Sequence, residues 1–388
     1  MRLFCYNLVM FNIHQELLTR PTFVEVDMNA VRHNLAQVRK LAPDQKILAV
    51  VKGNAYGHGA IPMAHLFQSL GVDYLGVAIP EEGVELRRAG ITVPILVLSA
   101  IADKQIPVCI QYDLTITAPS DEKLEAIDRA AEVFGKRAIV HLKVDTGMGR
   151  IGVNWQRVEK FMPVMERCQH TDFEGLYSHF AKSDEEDNFT HIQIDRFKQV
   201  IETFRQAGYE FSIKHLANSG GILFHTDSHF DMVRAGMILY GLFEGIEVPE
   251  GVTLTPAMSW KTEVVYFKYI EAGTGVGYGH RFTADKGTRI ATLPVGYADG
   301  YQRAMGPKGK VIIRDTMYPI AGRVCMDQMM INLGPDGEAY KGDEVILVGS
   351  SPSRAITFFD IARWSDTSIY ELLCQISYRV PRIYKHQD

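Results

Sequence analysis

Apolar runs of strand length alternate with segments of helical period from about residue 31 to residue 240. Eight of these runs predict strands, at 46–52, 74–79, 94–99, 114–117, 138–145, 174–179, 213–218 and 232–240. The intervening segments repeat apolar residues every three or four positions, which is typical of helices that cover a parallel sheet. Eight strand–helix units in succession favour a (β/α)8 barrel of the TIM type over an open doubly wound sheet.

Two of the intervening helices have clear signals. The helix over 121–134 is expected to open with a capping residue and to carry Glu122 in its first turn. The other has a single apolar face, formed by Ile194, Phe197, Val200, Ile201 and Phe204. An apolar face of this kind is expected to pack against the sheet.

After residue 256 the pattern changes to two-residue alternation divided by glycines. Strands are predicted over 263–269, 288–294, 310–313 and 344–348, and helices over 357–364 and 369–377. An isolated strand at 22–28 is a candidate to pair with this second region. The chain is therefore predicted to be an α/β plus β protein, with the barrel domain over 21–255 and a mostly β domain over 256–388.

Composition and charge restrict the classes of partner. Of the 388 residues, 46% are hydrophobic and 22% are charged, which is typical of a globular chain. The net charge is −5 and no run of Lys and Arg is present, which argues against nucleic acid and anionic membrane surfaces as partners. A small-molecule partner is therefore expected.

Cysteine usage and the N-terminal residues bear on location. The five cysteines are Cys5, Cys109, Cys168, Cys325 and Cys374. No two form a Cys-x-x-Cys motif, so neither a disulfide framework nor a thiolate zinc site is indicated. Residues 3–11 are apolar but interrupted by Asn7, and are interpreted as a short leader rather than a signal peptide. No apolar stretch has the length of a membrane span, and a cytoplasmic protein is expected.

The exit of the first predicted strand carries a lysine, at the end of the barrel where such enzymes hold their chemistry. Lys52 follows the apolar run 47–51 and precedes the glycine-rich segment 53–59. Partial desolvation there would lower the pKa of the ammonium group and favour the neutral amine that forms a Schiff base. Taken alone, a lysine before a glycine-rich loop is more often an ordinary solvated residue.

The last two predicted strands supply a context for Lys52. Strand seven runs into Asn-Ser-Gly-Gly at 218–221, and strand eight contains Arg-Ala-Gly at 234–236. Backbone amides next to small side chains and a hydroxyl suit a phosphate dianion. A Schiff-base lysine and a phosphate site on one barrel rim are what pyridoxal phosphate requires.

Six sequence blocks resemble those of bacterial alanine racemases. The first is Val-Lys-Gly-Asn-Ala-Tyr-Gly-His-Gly at 51–59, and the others follow in order at 143–150, 177–181, 295–300, 322–328 and 377–382. The resemblance covers nearly the whole chain after residue 20. It implies a pyridoxal phosphate barrel joined to a β domain. It also implies a homodimer that interconverts L-alanine and D-alanine and supplies D-alanine for cell-wall peptidoglycan.

The resemblance also assigns the proton carriers. Lys52 would hold the cofactor and act on one face of the substrate, and Tyr278, from the β domain of the partner subunit, would act on the other. His179 and Arg234 would assist Tyr278, because a tyrosine ordinarily has a pKa of about 10. Arg234 would also donate a hydrogen bond to the pyridine nitrogen. Since arginine does not release its proton, the ring would be a weaker electron sink.

Further contacts follow from the same resemblance. The cofactor-binding residues would be Lys52, Tyr56, Asn218, Ser219, Arg234, Gly236, Met237 and Tyr378. The substrate carboxylate would be bound by Arg150 and the backbone of Met326. The entrance would be lined by Tyr297, Asp327 and Tyr378. No metal is implied.

Three positions leave questions open. Gly277 stands where the family usually has serine and Ala235 where proline is common, so these positions bear on substrate range and loop rigidity. Lys143 resembles a family position that is open to carbamylation, which would make it an anion able to hold Arg150 by charge-assisted hydrogen bonds. The alternative for Lys143 is an ordinary lysine paired with a carboxylate.

Weaker motifs receive simpler interpretations. His225, Asp227, His229 and Asp231 are metal-ligand types at close spacing. No helix signal places the two histidines on one face, so solvated loop residues are expected. The alternating glycines over 273–279 do not match the dinucleotide fingerprint. Cys325 is expected to be a packed thiol rather than a nucleophile.

Three rivals to an alanine racemase stay open. The nearest is a broad-specificity or serine racemase on the same scaffold. A non-catalytic pyridoxal phosphate-binding protein would be a single barrel, and Tyr278 together with the residues after 256 argues against it. An amino-acid decarboxylase of barrel type is disfavoured, because its cysteine-centred substrate block is not apparent.

Overall fold

Eight parallel strands form the core of the N-terminal region. In a computed structural model of the protein, which describes residues 19–185, 187–306 and 308–385, these strands are Lys46–Val50, Tyr74–Val77, Ile95–Val97, Thr115–Ala118, Ala138–Asp145, Thr171–Tyr177, Ile213–His215 and Met232–Ala235. Strands one to seven pair in chain order, and strand eight pairs with strand one, Met232 lying opposite Lys46. Between strands seven and eight isolated hydrogen bonds remain, such as that from the amide of Arg234 to the carbonyl of Ala217. The predicted (β/α)8 barrel is confirmed as a nearly closed one.

Helices cover this sheet, so the strand residues are buried on both faces. The helices of this region are Met28–Leu41, Lys52–Tyr56, Ala60–Ser69, Pro80–Arg88, Ile106–Gln111, Asp121–Phe134, Met162–Met165, Phe189–Gln206 and Ser219–Phe224. Helix Asp121–Phe134 has the predicted bounds, because the Ser120 hydroxyl accepts a hydrogen bond from the Lys123 amide and Gly135 ends the helix in a left-handed conformation. In helix Phe189–Gln206 the predicted apolar face is buried except for Ile201, which is half-buried.

Six barrel strands end earlier than predicted, and three of them end just before candidate site residues. Strand one stops at Val50, strand seven at His215 and strand eight at Ala235. After strand one the backbone enters a left-handed turn. After strand seven it leads to helix Ser219–Phe224, and after strand eight it leads to the 3-10 turn Met237–Tyr240. The predictions overran because apolar residues continue into these turns, where hydrophobicity no longer reports strand geometry. Each of these three strands therefore ends just before residues that were predicted to bind the cofactor.

The C-terminal region is mostly β. Its strands are Met258–Glu263, Tyr266–Ile270, Gly275–Val276, Phe282–Thr283, Thr288–Leu293, Lys310–Ile313, Thr316–Pro319, Met329–Gly334, Glu344–Ser350, Ala355–Ile356 and Arg382–Lys385. The two predicted helices are Phe358–Ser365 and Ile369–Gln375. Strand Phe23–Asp27, from the start of the described chain, lies between Met258–Glu263 and Arg382–Lys385. The predicted pairing of this isolated strand with the second region is confirmed.

The predicted strand over 263–269 is wrong, since two strands occupy that segment. The amide of Val264 donates to Asp343, whereas the amide of Val265 donates to Thr292. These two acceptors belong to different sheets, so the chain passes from one sheet to another between adjacent valines. A continuous apolar pattern does not reveal such a change of partner.

Residue contacts divide the chain into two units. One is Ala30–Pro256, and the other joins the residues up to Asn29 with those from Ala257 onward. Residues 21–29, predicted as part of the barrel domain, are therefore grouped with the β region, because their strand pairs there. No helix within the described ranges is long and apolar enough to cross a membrane. The apolar segment 3–11, interpreted as a leader, lies outside the described residues.

Candidate active site

A left-handed turn follows the first barrel strand and carries Lys52. The residues from Gly53 to Gly57 all have positive φ, and Asn54, Ala55 and Tyr56 among them are not glycines. Each non-glycine residue in this region costs about 1–2 kcal/mol, so other contacts must hold the turn. Strain of this kind is typical of functional sites.

Two polar side chains hold that turn in place. The Glu82 carboxylate accepts hydrogen bonds from the amides of Gly53 and Ala78, both at 2.7 Å. The Asn54 side chain accepts one from the amide of Ala60 at 2.8 Å. The turn is thus tied to the next strand and to the following helix, which fixes the backbone of Lys52 at the exit of strand one.

Two hydroxyl groups and a glycine come together at the same rim. A Cβ atom at Gly236 would lie 3.1 Å from the Tyr56 hydroxyl and 3.5 Å from the Ser219 hydroxyl. The Gly236 amide donates to the Ser219 oxygen at 3.2 Å. The space left by the missing side chain is therefore bordered by hydroxyl groups and backbone amides, which suit a phosphate group. The residues present fit the phosphate end of pyridoxal phosphate.

Residues next to this hydroxyl-lined space beside Gly236 are also predicted cofactor residues. The Asn218 side chain caps helix Ser219–Phe224 by accepting from the Gly221 amide at 3.0 Å, and it also accepts from the Ser183 hydroxyl at 2.7 Å. Met237, directly after Gly236, is buried. The sequence-predicted cofactor residues of the barrel thus meet at the carboxyl ends of strands one, seven and eight.

Arg234 is buried and hydrogen-bonded through both of its terminal nitrogens. Its Nη2 atom donates to the carbonyls of Ser178 and Leu216 and to Nδ1 of His179, and its Nη1 atom donates to Nδ1 of His215, all within 3.1 Å. Burial lowers the pKa of Arg234 to about 10, which still leaves a cation at neutral pH. Burial and this neighbouring cation lower the pKa of His179 well below its usual value, so His179 is neutral.

A hydrogen-bonded chain runs from Arg234 into the barrel interior. Nε2 of His215 lies 2.8 Å from Nδ1 of His141, and Nε2 of His141 lies 2.9 Å from the Glu174 carboxylate. A guanidinium group only donates, so Nδ1 of His215 accepts and its proton sits on Nε2. That proton is donated to His141, whose own proton on Nε2 is donated to Glu174. The contacts therefore fix one tautomer for each buried histidine.

Glu174 ends this chain as its anion. Burial alone would raise the pKa of Glu174, but hydrogen bonds from His141 and Tyr74 outweigh that effect and lower it. Sequence reasoning missed Glu174, Tyr74, His141 and His215. The available signal was a histidine within the apolar strand 138–145, but a lone histidine in such a strand is also typical of a satisfied core residue.

Lys143 is buried without an ion-pair partner among the described residues. Its Nζ atom lies 3.3 Å from the Val144 carbonyl and 4.7 Å from the centre of the Tyr177 ring. Burial, followed by repulsion from Arg234, lowers the pKa of Lys143 well below its usual value. Arg150 is exposed beyond the turn at 147–149.

The predicted site residues of the C-terminal unit lie on exposed segments. Tyr278 exposes 72% of its surface and Tyr378 exposes 94%, and the entrance residue Tyr297 and the substrate residue Met326 are exposed too. The amide of Tyr297 donates to Cys325, and the amide of Ala298 donates to Met326, both at 3.0 Å. The segments around Tyr297 and Met326 are therefore adjacent. Asp327 pairs with Arg379, next to Tyr378, at 2.7 Å.

Gly277 has a backbone reason to be glycine. Its φ is +67°, and a Cβ atom there would lie 2.8 Å from Cε of Met330. A serine at this position would be strained in this structure. Glycine, at a position where the family usually has serine, thus adopts a positive φ directly before Tyr278.

The weaker motifs are placed as follows. No group of three metal-ligating side chains in the described residues is arranged to hold a metal ion. The expectation of a solvated loop is wrong for His229, which is buried after the short turn Thr226–Ser228. Asp231 pairs with Lys214 at 2.8 Å. Burial raises the pKa of the Cys325 thiol, as expected for a packed cysteine rather than a nucleophile.

These features define a class of protein: a (β/α)8 barrel with a lysine after strand one, a hydroxyl-lined space beside Gly236 after strand eight, and an accompanying β unit. Family models for this combination match in two parts. The alanine racemase N-terminal domain matches residues 26–244, and the alanine racemase C-terminal domain matches residues 257–384. The chain belongs to the alanine racemase family, which uses pyridoxal phosphate.

Individual relatives agree over nearly the whole chain. An alanine racemase of Halothermothrix orenii is 43% identical over 95% of this chain and 98% of its own length. The structure of the alanine racemase of Clostridium difficile 630 matches with a TM-score of 0.90 and 38% identity, covering 95% of this chain and 96% of that one. A histidine racemase of Leuconostoc mesenteroides matches with a TM-score of 0.87 and 28% identity over 95% and 99%. The same architecture therefore occurs in a racemase named for another amino acid.

Proposed function

We propose that the protein is a pyridoxal phosphate-dependent alanine racemase that works as a homodimer in the cytoplasm and supplies D-alanine for peptidoglycan. Two observations carry the proposal: the Tyr56 and Ser219 hydroxyls face the same space beside Gly236, and the charges of Lys52 and Arg234 both act on His179. Family membership supports alanine as the substrate.

Each part of the barrel rim would have one task in holding the cofactor. Tyr56, Ser219 and the backbone around Gly236 would bind the phosphate, assisted by Asn218, Met237 and Tyr378. Lys52 would form the covalent link. The cation of Arg234 would donate to the ring nitrogen without transferring its proton, because its pKa of about 10 keeps it charged at neutral pH. Pyridoxal phosphate, when bound, supplies an electron sink that acidifies the α-proton of an amino acid.

Two groups would move that proton. The amine of Lys52 would take or return a proton on one face, and the phenol of Tyr278 from the partner subunit would do so on the other. His179 is neutral and its Nδ1 accepts from Arg234, so its proton sits on Nε2, from which it would donate a hydrogen bond to the oxygen of Tyr278. Arg150 and the backbone of Met326 would bind the substrate carboxylate, which fixes which face each group reaches.

Exposure of the C-terminal site residues supports the dimer. Tyr278, Tyr297, Met326 and Tyr378 are large side chains on a monomer surface. Contiguous exposed apolar groups of this kind mark interaction surfaces. A two-fold dimer would place this surface of one subunit at the barrel rim of the other, twice over.

Lys143 is proposed as the carbamylated residue. A buried lysine with a lowered pKa is largely the neutral amine, which adds to carbon dioxide with release of one proton and formation of an N–C bond. The resulting anion would lie among Tyr177, Arg234 and Arg150. Carbon-13 NMR of the protein under labelled carbon dioxide should show a carbamate signal that is lost in Lys143→Met, and a spectrum identical in both proteins would refute the assignment.

Racemisation of a panel of amino acids tests the proposed function. The purified protein with bound pyridoxal phosphate should racemise alanine fastest, as followed by chiral chromatography. Faster racemisation of serine or histidine would support the broad-specificity alternative, for which the histidine racemase of the same fold is the precedent. Tight cofactor binding without racemisation of any amino acid would refute the proposal in favour of a non-catalytic binding protein.

A further inference from the structure

One fully buried carboxylate lies beneath the exposed site residues of the C-terminal unit. Asp299 has no exposed surface. Its two carboxylate oxygens accept hydrogen bonds from the two terminal nitrogens of Arg20, each at 2.7 Å. The same guanidinium group also donates to the carbonyls of Pro294 and Arg379, at 2.9 and 3.1 Å. This two-pronged geometry is the strongest form of a charge-assisted hydrogen bond.

The carboxylate is also bonded to the segments around it. Oδ2 of Asp299 accepts from the amide of Gly296 at 3.0 Å, and its backbone carbonyl accepts from the amide of Ser377 at 3.1 Å. Nε of Arg379 lies 3.4 Å from Oδ1 of Asp299, while Nη2 of Arg379 donates to Asp327 at 2.7 Å. Asp299 thus connects segments 294–300 and 377–379 directly, and Arg379 extends the connection to Asp327 in segment 325–328.

These three segments carry the predicted entrance and substrate residues Tyr297, Met326, Asp327 and Tyr378. Because these side chains are exposed, their own burial does not fix their positions. The segments also approach closely: a Cβ atom at Gly296 would lie 2.3 Å from the Cys325 carbonyl, and one at Gly300 would lie 2.4 Å from the Gln375 carbonyl. Such contacts between backbones need a frame that keeps the segments in register.

We propose that Arg20, Asp299 and Arg379 form this frame and are positioning residues for the substrate entrance. The proposal rests on the proposed function, because the entrance role of Tyr297, Asp327 and Tyr378 belongs to it. Arg20, three positions before the strand Phe23–Asp27, would then help to set access of substrate to the site. The frame belongs entirely to the C-terminal unit and its N-terminal strand.

Hydrogen exchange of the cofactor-loaded protein tests the frame directly. In Asp299→Asn, peptides covering 294–301, 323–329 and 376–381 should exchange about 10-fold faster or more, because the part-buried guanidinium of Arg20 loses its anion. Asp343→Asn is the matched control. Asp343 receives a similar fork from Arg314, at 2.8 and 3.0 Å, in the same unit, and its loss should leave those three segments unchanged.

Steady-state kinetics supply the second readout. Asp299→Asn should raise KM for alanine about 10-fold while kcat stays within about 3-fold, because the chemical groups are untouched but access is disturbed. Arg20→Lys keeps the charge but not the fork, so an intermediate rise in KM is expected. If Asp299→Asn does not fold, Arg20→Lys carries the test alone with the same two measurements.

Two outcomes would overturn the frame. Unchanged exchange in the three segments would show that they are held by other contacts. A uniform increase in hydrogen exchange over the whole C-terminal unit, with kcat and KM falling or rising together, would show that Asp299 supports general stability and does not position the three segments. A wild-type protein without alanine racemisation would refute the proposed function, whereas the exchange pattern would still decide whether the three segments are held by Asp299.

Discussion

Arg234 and Lys143, in the barrel, are almost completely buried, whereas Tyr278 and Tyr378, in the C-terminal unit, expose most of their surface. The barrel residues obtain their electrostatic environment from their own chain: burial and neighbouring cations shift the pKa values of Lys143 and His179. On the proposed function, the barrel would supply the cofactor half of the site, and the C-terminal unit would supply a half that a second subunit completes.

The largest effect is expected at the covalent link. Lys52→Ala should lower racemisation by more than about 10⁴-fold, because the variant loses both the Schiff base and one proton carrier. Borohydride reduction followed by peptide mapping should place the pyridoxyl group on Lys52 in the wild type. Lys46→Ala, at the opposite end of the same strand and half-exposed, is the control and should keep activity. A pyridoxyl label on another lysine would contradict the assignment.

The exposed half should show a smaller and direction-specific loss. Tyr278→Phe should lower racemisation by about 10²- to 10⁴-fold, the usual contribution of one positioned acid–base group. Exchange of the α-proton of D-alanine with heavy water should persist slowly, since Lys52 still acts on that face, while exchange from L-alanine is lost. Proton NMR of each enantiomer measures this. Equal residual exchange from both enantiomers would mean that one base serves both faces.

A moderate effect is expected at Glu174, the partly exposed end of the hydrogen-bonded chain. Glu174→Gln removes the anion that accepts from His141 and should lower kcat/KM about 10-fold, the usual scale for a hydrogen bond to a charged group. Nitrogen-15 NMR of labelled histidines should show altered tautomers for His141 and His215. Asp172→Asn, on the same strand but paired with Arg137 at the surface, is the control. Unchanged histidine signals in Glu174→Gln would refute the tautomer assignment.

The smallest effect is expected in the pH dependence of the free energy of unfolding. Burial lowers the pKa values of His141, His179 and His215, so these residues stay neutral when folded and take up protons when unfolded. Their contribution is therefore complete above about pH 6.5 and is lost as pH falls below it. Each histidine would add up to about 1.4 kcal/mol per pH unit to the slope of the unfolding free energy against pH. Thermal unfolding of His215→Gln between pH 7 and 5 should show a shallower slope than the wild type, and an equal slope would contradict the neutral state.

Sequence reasoning succeeded where burial alone sets the pattern. The barrel strands are apolar because they are covered on both faces, so their number and order were predictable. Their ends were not, because apolar residues such as Met237 continue into the turns of the site. The change of sheet between Val264 and Val265 depends on partners that are distant in the chain.

The candidate site residues also divide into those that the sequence predicted and those that it did not. Lys52 and the 218–221 segment lie at strand exits, where polar and small residues stand out against apolar runs. His141 and His215 lie within apolar strands, where a single histidine has no distinguishing pattern. Arg20 and Asp299 are 279 residues apart, and only the folded C-terminal unit brings them together.

Restoration of activity by mixing inactive chains tests most directly whether the two halves are completed between subunits. Lys52→Ala and Tyr278→Phe chains, exchanged at equal amounts, should form heterodimers in about half of the population, each with one intact site of two. The account predicts recovery of about a quarter of wild-type racemisation. No recovery, with subunit exchange demonstrated by mass spectrometry of the mixed dimer, would place Lys52 and Tyr278 of one site on the same chain and contradict the account.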